Sequence, residues 1–519
     1  MKKFSHLFYF GILVLFFFIQ FSFLAKRTQS FNFADENEHL TPAWEMVRRN
    51  KSLYQDLSTN HQPLPILSAY VFFKTVPVAN AFMLIERVRQ FVFFLSFLGA
   101  FFITLRFGLR GLIASILIEL IKFYFFGYHL LAESLVIYPL MYMAGVMVEY
   151  SFFKIGPRKN SLLLKLDDGV FGFCLFWIAF NLSPLWPFLI FSLLYYLRVR
   201  MTKKEPPAIL FISFGIFTAL LFLMINPFSW FRETVVNNYR YYLPYQASFT
   251  IKEIFYYLVY PCLSIFNSHQ PIAKYYLALL SCGLVYIVIF LRQTKSRNTC
   301  SWLFLYFLLI LLNLRTTSMN IGFYTAFHVL PQAAFLTMLI VGIADLNIRK
   351  PLILFSFLAL SIMIFNATLW WRESVSYDKF NEHFIQFGNE ESIGMALPAV
   401  KNEKDTLLAG PQSGFINIFA DIPLATRQTA YLAWGYRCPA LKQEFETILG
   451  KSAPTFIYFP ASDNPYYLAL FPLLEKNYAR IQRTFGGETD LYILNTEIGK
   501  RTPEQWKKFA DLLYQPPKL

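Results

Sequence analysis

The sequence lacks the short patterns that mark many soluble enzymes. It has five cysteines among 519 residues, and their spacing fits neither a zinc site nor a disulfide framework. It contains no glycine-rich phosphate loop, no Ser-His-Asp order, no metal-type histidine cluster and no internal repeat. These absences argue against the common nucleotide-dependent, serine-nucleophile and zinc-dependent classes. We expect no cofactor; a divalent metal is not indicated.

Apolar and aromatic residues are plentiful instead. Hydrophobic residues make up 56% of the chain and aromatic residues 19%, with 60 phenylalanines, and the mean hydropathy is +0.42. Such values predict a mostly α-helical, polytopic membrane protein. The net charge of +15 does not indicate nucleic-acid binding, because the lysines and arginines cluster in short loops between apolar runs.

The apolar runs predict about eleven membrane spans. They cover residues 7–25, 82–105, 112–126, 134–153, 170–182, 185–197, 208–225, 275–291, 302–314, 324–343 and 352–371. The first run is too long for a signal peptide and lacks a good cleavage site, so we interpret it as a retained span. A shorter run, 254–266, is interrupted by Pro261 and is placed at the interface.

The charges of the loops predict the orientation. With the N-terminus in the cytoplasm, every inner loop is basic, whereas the short outer loops at 127–132 and 181–184 contain no lysine or arginine. An odd number of spans places the C-terminus outside. The sequence therefore predicts a multi-pass protein of the cytoplasmic membrane.

Two domains are expected. Residues 1–371 form the membrane domain, which includes a long first outer loop, 26–80. Residues 372–519 regain polar character and form a small extracytoplasmic α/β domain. Its predicted strands are 406–409, 455–459, 480–485 and 490–495, and its predicted helices are 376–387, 440–449, 465–477 and 503–514.

The first outer loop carries an acidic pair, Asp35-Glu36, just outside the first span. Helices are predicted at 38–49 and, after a break at Pro63, at 66–73, both lying on the bilayer surface. Asp35 and Glu36 then precede the first helix. These two acids either cap the N-terminus of the helix, where the helix dipole favours negative charge, or act in catalysis. The sequence alone leaves both interpretations open.

Other charged residues are candidates on the same side. Glu133 opens the fourth span and is a second acid or a simple helix N-terminal residue. Basic and polar residues of the later outer loops suit phosphate binding or interfacial anchoring against membrane lipids. They are Arg232, Arg240, Arg315, Asn320, Tyr324 and His328. Asp167-Asp168 falls inside at a helix start, and Glu119 with Lys122 forms an i, i+3 pair, so we assign neither a function.

The outer-loop residues resemble a known family. The patterns are D-E-x-x-H-L-x-x-A-W from Asp35, L-Y-Q-D from Leu53 and H-Q-P-L from His61. They are similar to the first outer loop of the GT-C superfamily, closest to the protein O-mannosyltransferase-like glycosyltransferases (family 39 and bacterial relatives). These resemble the lipid A aminoarabinose transferases in architecture. Ala132-Glu133-Ser134 and the aromatic segment 323–331 extend the likeness along the membrane part.

The resemblance implies an inverting transferase that takes a sugar from a polyprenyl-phosphate carrier to a lipid, glycan or protein acceptor. Asp35 would be the general base, with Glu36 beside it, and Glu133 the supporting acid. The family often has a lysine before Pro-Pro-Leu that contacts the carrier phosphate. Here His61 stands at that place.

Further candidates for the donor phosphate are Arg315, Tyr324, His328 and Arg232. Two other functions stay open. A transporter or flippase of lipid-linked glycans would carry buried charges on several spans, and a non-catalytic scaffold of an envelope-glycan complex would not bring its acids together.

Overall fold

The computed structural model is mostly helical, as the sequence predicts. It describes residues 2–122, 125–152, 161–201, 207–246, 301–302, 304–305, 308–309, 327–328, 330–344, 378–460, 462–482 and 488–513. In the first half of the chain the helices are α1 Lys2–Arg27, α2 Ala34–Arg49, α3 Pro63–Thr75, α4 Ala81–Phe107, α5 Leu109–Lys122, α6 Ala132–Phe152, α7 Ser161–Ala179, α8 Trp186–Met201, α9 Ala208–Met224, α10 Pro227–Phe231 and α11 Leu243–Gln246.

The second half adds helices and the sheet. The helices are α12 Leu330–Ala344, α13 Lys379–Ala396, α14 Phe415–Ala420, α15 Pro439–Lys451, α16 Pro465–Asn477, α17 Asn495–Ile498 and α18 Pro503–Leu512, and the strands are β1 Leu407–Ala409, β2 Phe456–Tyr458, β3 Tyr478–Gln482 and β4 Glu488–Leu494. The chain divides into two compact units. One comprises Met1–Lys26, Arg89–Leu223 and Ala247–Tyr377, and the other Arg27–Val88, Met224–Gln246 and Asp378–Leu519.

The first unit is a bundle of apolar helices. In it α12 packs against α6 and α5. The contact with α6 is close at Gly145, where an added Cβ would lie 2.6 Å from Cε of Met338. Small residues allow such approach between helices that have no hydrophobic effect to drive them together in lipid.

Three described helices are long and apolar enough to span a bilayer, at Leu7–Arg27, Ala81–Phe107 and Ala132–Ser151. A fourth apolar stretch is a pair of helices, Ala208–Met224 and Pro227–Tyr245, with a break between them. The predicted spans 275–291 and 352–371 and the interfacial run 254–266 lie outside the described residues. The count of eleven spans stays a prediction.

The second unit contains the first outer loop and the C-terminal residues together. This division differs from the predicted one, in which loop 26–80 belonged to the membrane domain. The reason is a direct backbone connection: N of Ser58 donates to O of Arg427 at 2.7 Å, and N of Thr429 donates to O of Ser58 at 3.3 Å. A segment that gives its main-chain hydrogen bonds to another segment folds with it.

The helices of the first outer loop start earlier than predicted. Helix α2 begins at Ala34 rather than residue 38, so that Asp35 and Glu36 lie in its first turn. Helix α3 begins at Pro63, because proline is favourable at the first helical position and does not break the chain there. Much of α2 is buried against other parts of the protein, from Glu36 to Ala43. Its position on the bilayer surface stays a prediction.

The C-terminal sheet has four strands in the order β1-β2-β4-β3. Strands β1 and β2 are parallel, and the β2–β4 and β3–β4 pairs are antiparallel. Side chains alternate along a strand, and both faces are covered here. Leu407 and Ala409 face one core with α13 and α18, whereas Leu408 faces a second core with α15 and α16.

Candidate active site

The acidic pair of the sequence motif lies in the first turn of α2. Glu36 is fully buried and Asp35 is half-buried. The main-chain N of Glu36 donates to O of Phe33 at 3.0 Å, which starts the helix. A carboxylate in the first turn is stabilised by the helix dipole, and this environment also favours the charged form that a general base needs.

Glu38 is the carboxylate of this helix that sequence reasoning missed. Its side chain is buried, and its two oxygens contact Nε2 of His61 and Nε2 of Gln412. The i, i+3 spacing from Asp35 to Glu38 was the available signal, because it places the two residues on neighbouring positions of one helix face. Gln412 lies 374 residues after Glu38 in the sequence, so no local sequence pattern predicts the contact between them.

His61 is held in place from several sides. Its main-chain O accepts a hydrogen bond from the hydroxyl of Tyr54 at 2.8 Å. Its ring meets the ring of His39 edge-on, with centroids 4.6 Å apart. Burial, together with the neighbouring charge of His61, holds the pKa of His39 well below its ordinary value. His39 is therefore neutral near pH 7. The carboxylate of Glu38 lies against Nε2 of His61 and orients its ring.

A small polar pocket adjoins Glu38. The residues that line it are Glu38, Ser58, Thr59, Asn60, Glu233, Gln428, Thr429, Ala430, Leu432, Trp434, Gly435 and Leu441. All of them belong to the second compact unit. The cavity volume is about 20 Å³, which is room for a water molecule or two. The pocket is thus too small for a whole sugar ring.

Glu233 is a second buried carboxylate of this pocket. Hydroxyl and amide groups of Ser58 and Asn237 donate to it at 2.9 and 3.2 Å, and Arg427 pairs with it at 3.2 Å. It lies in the π-helical segment Arg232–Val236, a geometry that is frequent at functional sites. From the sequence, we named the preceding residue, Arg232, as a candidate for phosphate binding and did not name Glu233. The side chain of Arg232 is mostly exposed and contacts Glu233 at 3.3 Å.

Two predicted residues of the first unit lie together. Oε1 of Glu133 is 3.1 Å from Nδ1 of His328, and both side chains are largely buried. The pair joins the start of α6 to the residues that precede α12. A carboxylate beside an imidazole fixes the orientation of the ring.

Some candidates are not tested. Arg315, Asn320 and Tyr324 lie outside the described residues. Within the described part of the chain, no group of three or more histidine, cysteine or acidic residues is placed to hold a metal ion.

The two acidic features set aside from sequence are buried in polar networks. Arg106 donates to Asp167 at 2.7 Å, and Arg200 donates to Asp168 at 2.8 Å. Glu119 accepts from the hydroxyls of Tyr128 and Tyr138 at 2.7 and 2.6 Å, and Lys122 lies 3.4 Å from it. Buried charges with such partners stabilise one arrangement of helices, which explains these residues without a role in chemistry.

The chain is similar in structure to ArnT from Cupriavidus metallidurans. The crystal structure of that protein bound to undecaprenyl phosphate matches 94% of this chain and 97% of its own chain, with a TM-score of 0.53 and 11% sequence identity. The structure of the same protein in the apo state has a TM-score of 0.48, with 11% identity, 93% of this chain and 97% of the other.

The chain thus has the fold of ArnT, a GT-C fold, which confirms that part of the sequence resemblance. No protein-family model matches the sequence. No curated protein matches it either. The likeness therefore comes from the arrangement of the helices, and the roles of individual residues follow from the site itself.

Proposed function

We propose that this chain is an integral membrane glycosyltransferase that uses a polyprenyl-phosphate-linked sugar as donor. The observation that carries the proposal is the group formed by Asp35, Glu36, Glu38 and His61 in a chain with the fold of ArnT. Glu36 and Glu38 of this group are buried, and Asp35 and His61 are half-buried. The ArnT structure holds undecaprenyl phosphate, the lipid class that the first-loop motif implies. A lipid-linked donor also explains why the chain has helices long and apolar enough to span a bilayer.

The proposed reaction is a direct displacement at the anomeric carbon. Asp35 takes the proton of an acceptor hydroxyl, whose oxygen forms the new bond to the anomeric carbon from the face opposite the phosphate. The bond between that carbon and the phosphate oxygen breaks, and polyprenyl phosphate leaves with its electron pair. The configuration is inverted. Glu36 lies beside Asp35, and its negative charge favours uptake of the proton by the base.

His61 is proposed to bind the donor phosphate. Phosphate is a good leaving group and needs stabilisation of its charge more than a proton. The contact with Glu38 orients the imidazole of His61 and favours its charged form, which suits the place where relatives carry a lysine. Glu133 orients His328 for the same task, and Arg232, Arg315 and Tyr324 are the further proposed phosphate contacts.

The proposed setting is the outer face of the cytoplasmic membrane, with the C-terminal α/β residues extracytoplasmic. The acceptor is a lipid, glycan or protein that reaches this face. The basic inner loops support this orientation.

The decisive experiment replaces Asp35 by asparagine. Asp35→Asn should lower transfer from polyprenyl-phosphate sugars by about 100- to 10,000-fold, because a general base contributes that much. Membrane insertion and donor binding should be unchanged. Asp56→Asn is the matched control, since Asp56 is exposed on the same loop and only accepts from N of Ser52 at 2.8 Å. Normal transfer by Asp35→Asn rules out the proposed mechanism.

The same variant separates the alternative functions. A flippase moves a lipid-linked glycan across proteoliposomes without forming a new glycosidic bond, so product analysis by mass spectrometry distinguishes it from a transferase. A scaffold leaves envelope glycan normal in cells that carry Asp35→Asn. Buried ion pairs, which a transporter also predicts, occur on several described helices at Arg106–Asp167, Arg200–Asp168 and Glu119–Lys122. The transport assay therefore separates the two functions.

A further inference from the structure

The polar pocket beside Glu38 has a donor that lacks a partner. Trp434 is 6% exposed, and among the described residues its indole Nε1 finds no hydrogen-bond acceptor. The ring itself is fixed, because it packs against Leu441 and meets Tyr242 edge-on with centroids 5.5 Å apart. A buried N–H without an acceptor costs about 1–3 kcal/mol. An oxygen atom that enters the pocket relieves this cost.

The negative charges of the two carboxylates that line the pocket, Glu38 and Glu233, already have polar or charged partners. Glu38 contacts His61 and Gln412. Glu233 contacts Arg232 and Arg427 through one oxygen and Ser58 and Asn237 through the other. The pocket thus offers carboxylate oxygens as hydrogen-bond acceptors but no surplus positive charge. A hydroxyl group satisfies both sides, since it accepts from Trp434 and donates to a carboxylate. A phosphate group would bring its negative charge next to two carboxylates.

The size of the pocket limits the ligand further. A volume of about 20 Å³ holds one hydroxyl or hydroxymethyl group and excludes a ring. Thr59, Asn60 and Gln428 add polar groups to the wall. This set of amide, hydroxyl, carboxylate and indole groups is suited to an uncharged sugar substituent.

We propose that the pocket binds a hydroxyl or hydroxymethyl arm of a neutral sugar, with Nε1 of Trp434 donating to the arm and a carboxylate oxygen of Glu38 accepting from it, while the charge of Glu233 disfavours an anionic arm. Trp434 and Glu233 are then specificity-determining residues. The inference rests on the proposed function, because Glu38 links the pocket to His61. The arm belongs either to the acceptor or to the donor sugar, which share this chemistry.

A binding experiment tests the pocket without turnover. The full-length protein in detergent is titrated with methyl glycosides of glucose, galactose and mannose, their 6-deoxy forms and their 6-phosphates, and bound ligand is followed by saturation-transfer NMR. At least one methyl glycoside should bind. Its 6-deoxy and 6-phosphate forms should bind at least tenfold more weakly.

Variants assign the effect to the two residues. Trp434→Phe keeps a ring but loses the N–H, and should weaken binding about 3- to 10-fold, the value of one hydrogen bond. Glu233→Gln removes the negative charge and should improve binding of the 6-phosphate. Trp506→Phe and Glu446→Gln are the matched controls, because neither residue lines the pocket. Tighter binding of the 6-phosphate by the wild type, or no effect of either variant, overturns the proposal.

Kinetics identify which sugar carries the arm. In the transfer assay, Trp434→Phe should raise the KM of the acceptor or that of the donor, with kcat unchanged at saturation. A lower kcat with both KM values unchanged contradicts a binding role. The two proposals can fail independently. If Asp35→Asn still transfers sugar, the proposed function is wrong, but the glycoside titration still tests the pocket.

Discussion

At the scale of single residues, the proposed role of His61 depends on its contact with Glu38. A neutral imidazole is a poor partner for a phosphate, whereas an imidazolium donates a charge-assisted hydrogen bond. The buried carboxylate of Glu38 contacts Nε2 of His61 and so favours the charged ring. In the proposed function, Glu38 is a positioning residue and His61 is the group that contacts the donor phosphate.

Substitutions at His61 test this relation. His61→Gln should raise the KM for the polyprenyl-phosphate donor about 10- to 100-fold, which is the range of one charge-assisted hydrogen bond. His61→Lys should keep most of the affinity, because an ammonium group can contact both Glu38 and phosphate. Donor KM and kcat are measured for both variants. Equal donor KM values for wild type and His61→Gln would show that His61 does not bind the phosphate.

Glu390 predicts a pH dependence of stability. Burial raises its pKa to about 7, although hydrogen bonds from Asn32 and Ser413 act in the opposite direction. The folded state thus holds a proton that the unfolded chain releases near pH 4.5, so this residue reduces stability as pH rises from about 4.5 to about 7. Glu390→Gln should match the wild type at pH 5 and be more stable at pH 8 by about 1–2 kcal/mol.

Thermal unfolding in detergent at the two pH values is the measurement for Glu390. Glu382→Gln serves as a control on the same helix. Parallel pH profiles for wild type and Glu390→Gln would contradict the assignment.

The sequence allowed some residues of the site to be predicted and not others. Asp35, Glu36 and His61 follow from a local motif, and Glu133 with His328 from the likeness of two distant segments. Glu233 and Trp434 were missed, because the contacts that bury them come from residues far away in sequence, such as Arg427 and Tyr242. When a segment distant in sequence buries a polar residue, the local pattern of apolar and polar residues does not reveal that burial.

At the scale of elements, the approach of α14 to α2 is set by one glycine. A Cβ added at Gly414 would lie 2.4 Å from Oγ1 of Thr41, closer than side chains allow. Thr41 is itself held by Oδ1 of Asn37 at 2.6 Å, and Nδ2 of Asn37 donates to O of Gln412. Glycine here lets the C-terminal residues reach the face of α2 that carries Glu38.

Gly414→Ala should therefore destabilise the second unit by about 1–3 kcal/mol and lower transfer, because α2 must move. Thr41→Ala should recover part of this loss in the Gly414→Ala background, although it costs stability by itself through the bond to Asn37. A double-mutant cycle by thermal unfolding measures the coupling. Strictly additive effects would mean that the two side chains do not meet.

The elements themselves were largely predictable where patterns are local. Helix α16 has the predicted bounds, and the four strands lie within a few residues of the predicted ones, because alternating apolar residues and flanking turns mark them. The start of α2 was misplaced by four residues. Phe33, its N-cap, makes no side-chain cap, so the usual start signal is absent.

At the scale of the whole molecule, the basic loops predict where the two ends lie. Reporter fusions check this. A phosphatase that is active only outside the cytoplasm should be active when fused after the last residue and inactive when fused within loop 198–204, since lysine and arginine are retained inside. The reverse pattern of activities would overturn the topology and with it the extracytoplasmic placement of Asp35.

The pairing of Ser58 with the segment around Gln428 has a consequence for biosynthesis. The ribosome adds about 5–20 residues per second, so that the partner of Ser58 emerges at least some 20 seconds later. During that interval the polar face of α2, including Glu38, has neither Gln412 nor the C-terminal residues against it. In a nascent chain that stops before residue 412, the polar face of α2 therefore stays uncovered and accessible to chaperones and proteases. The candidate site can form only near the end of translation.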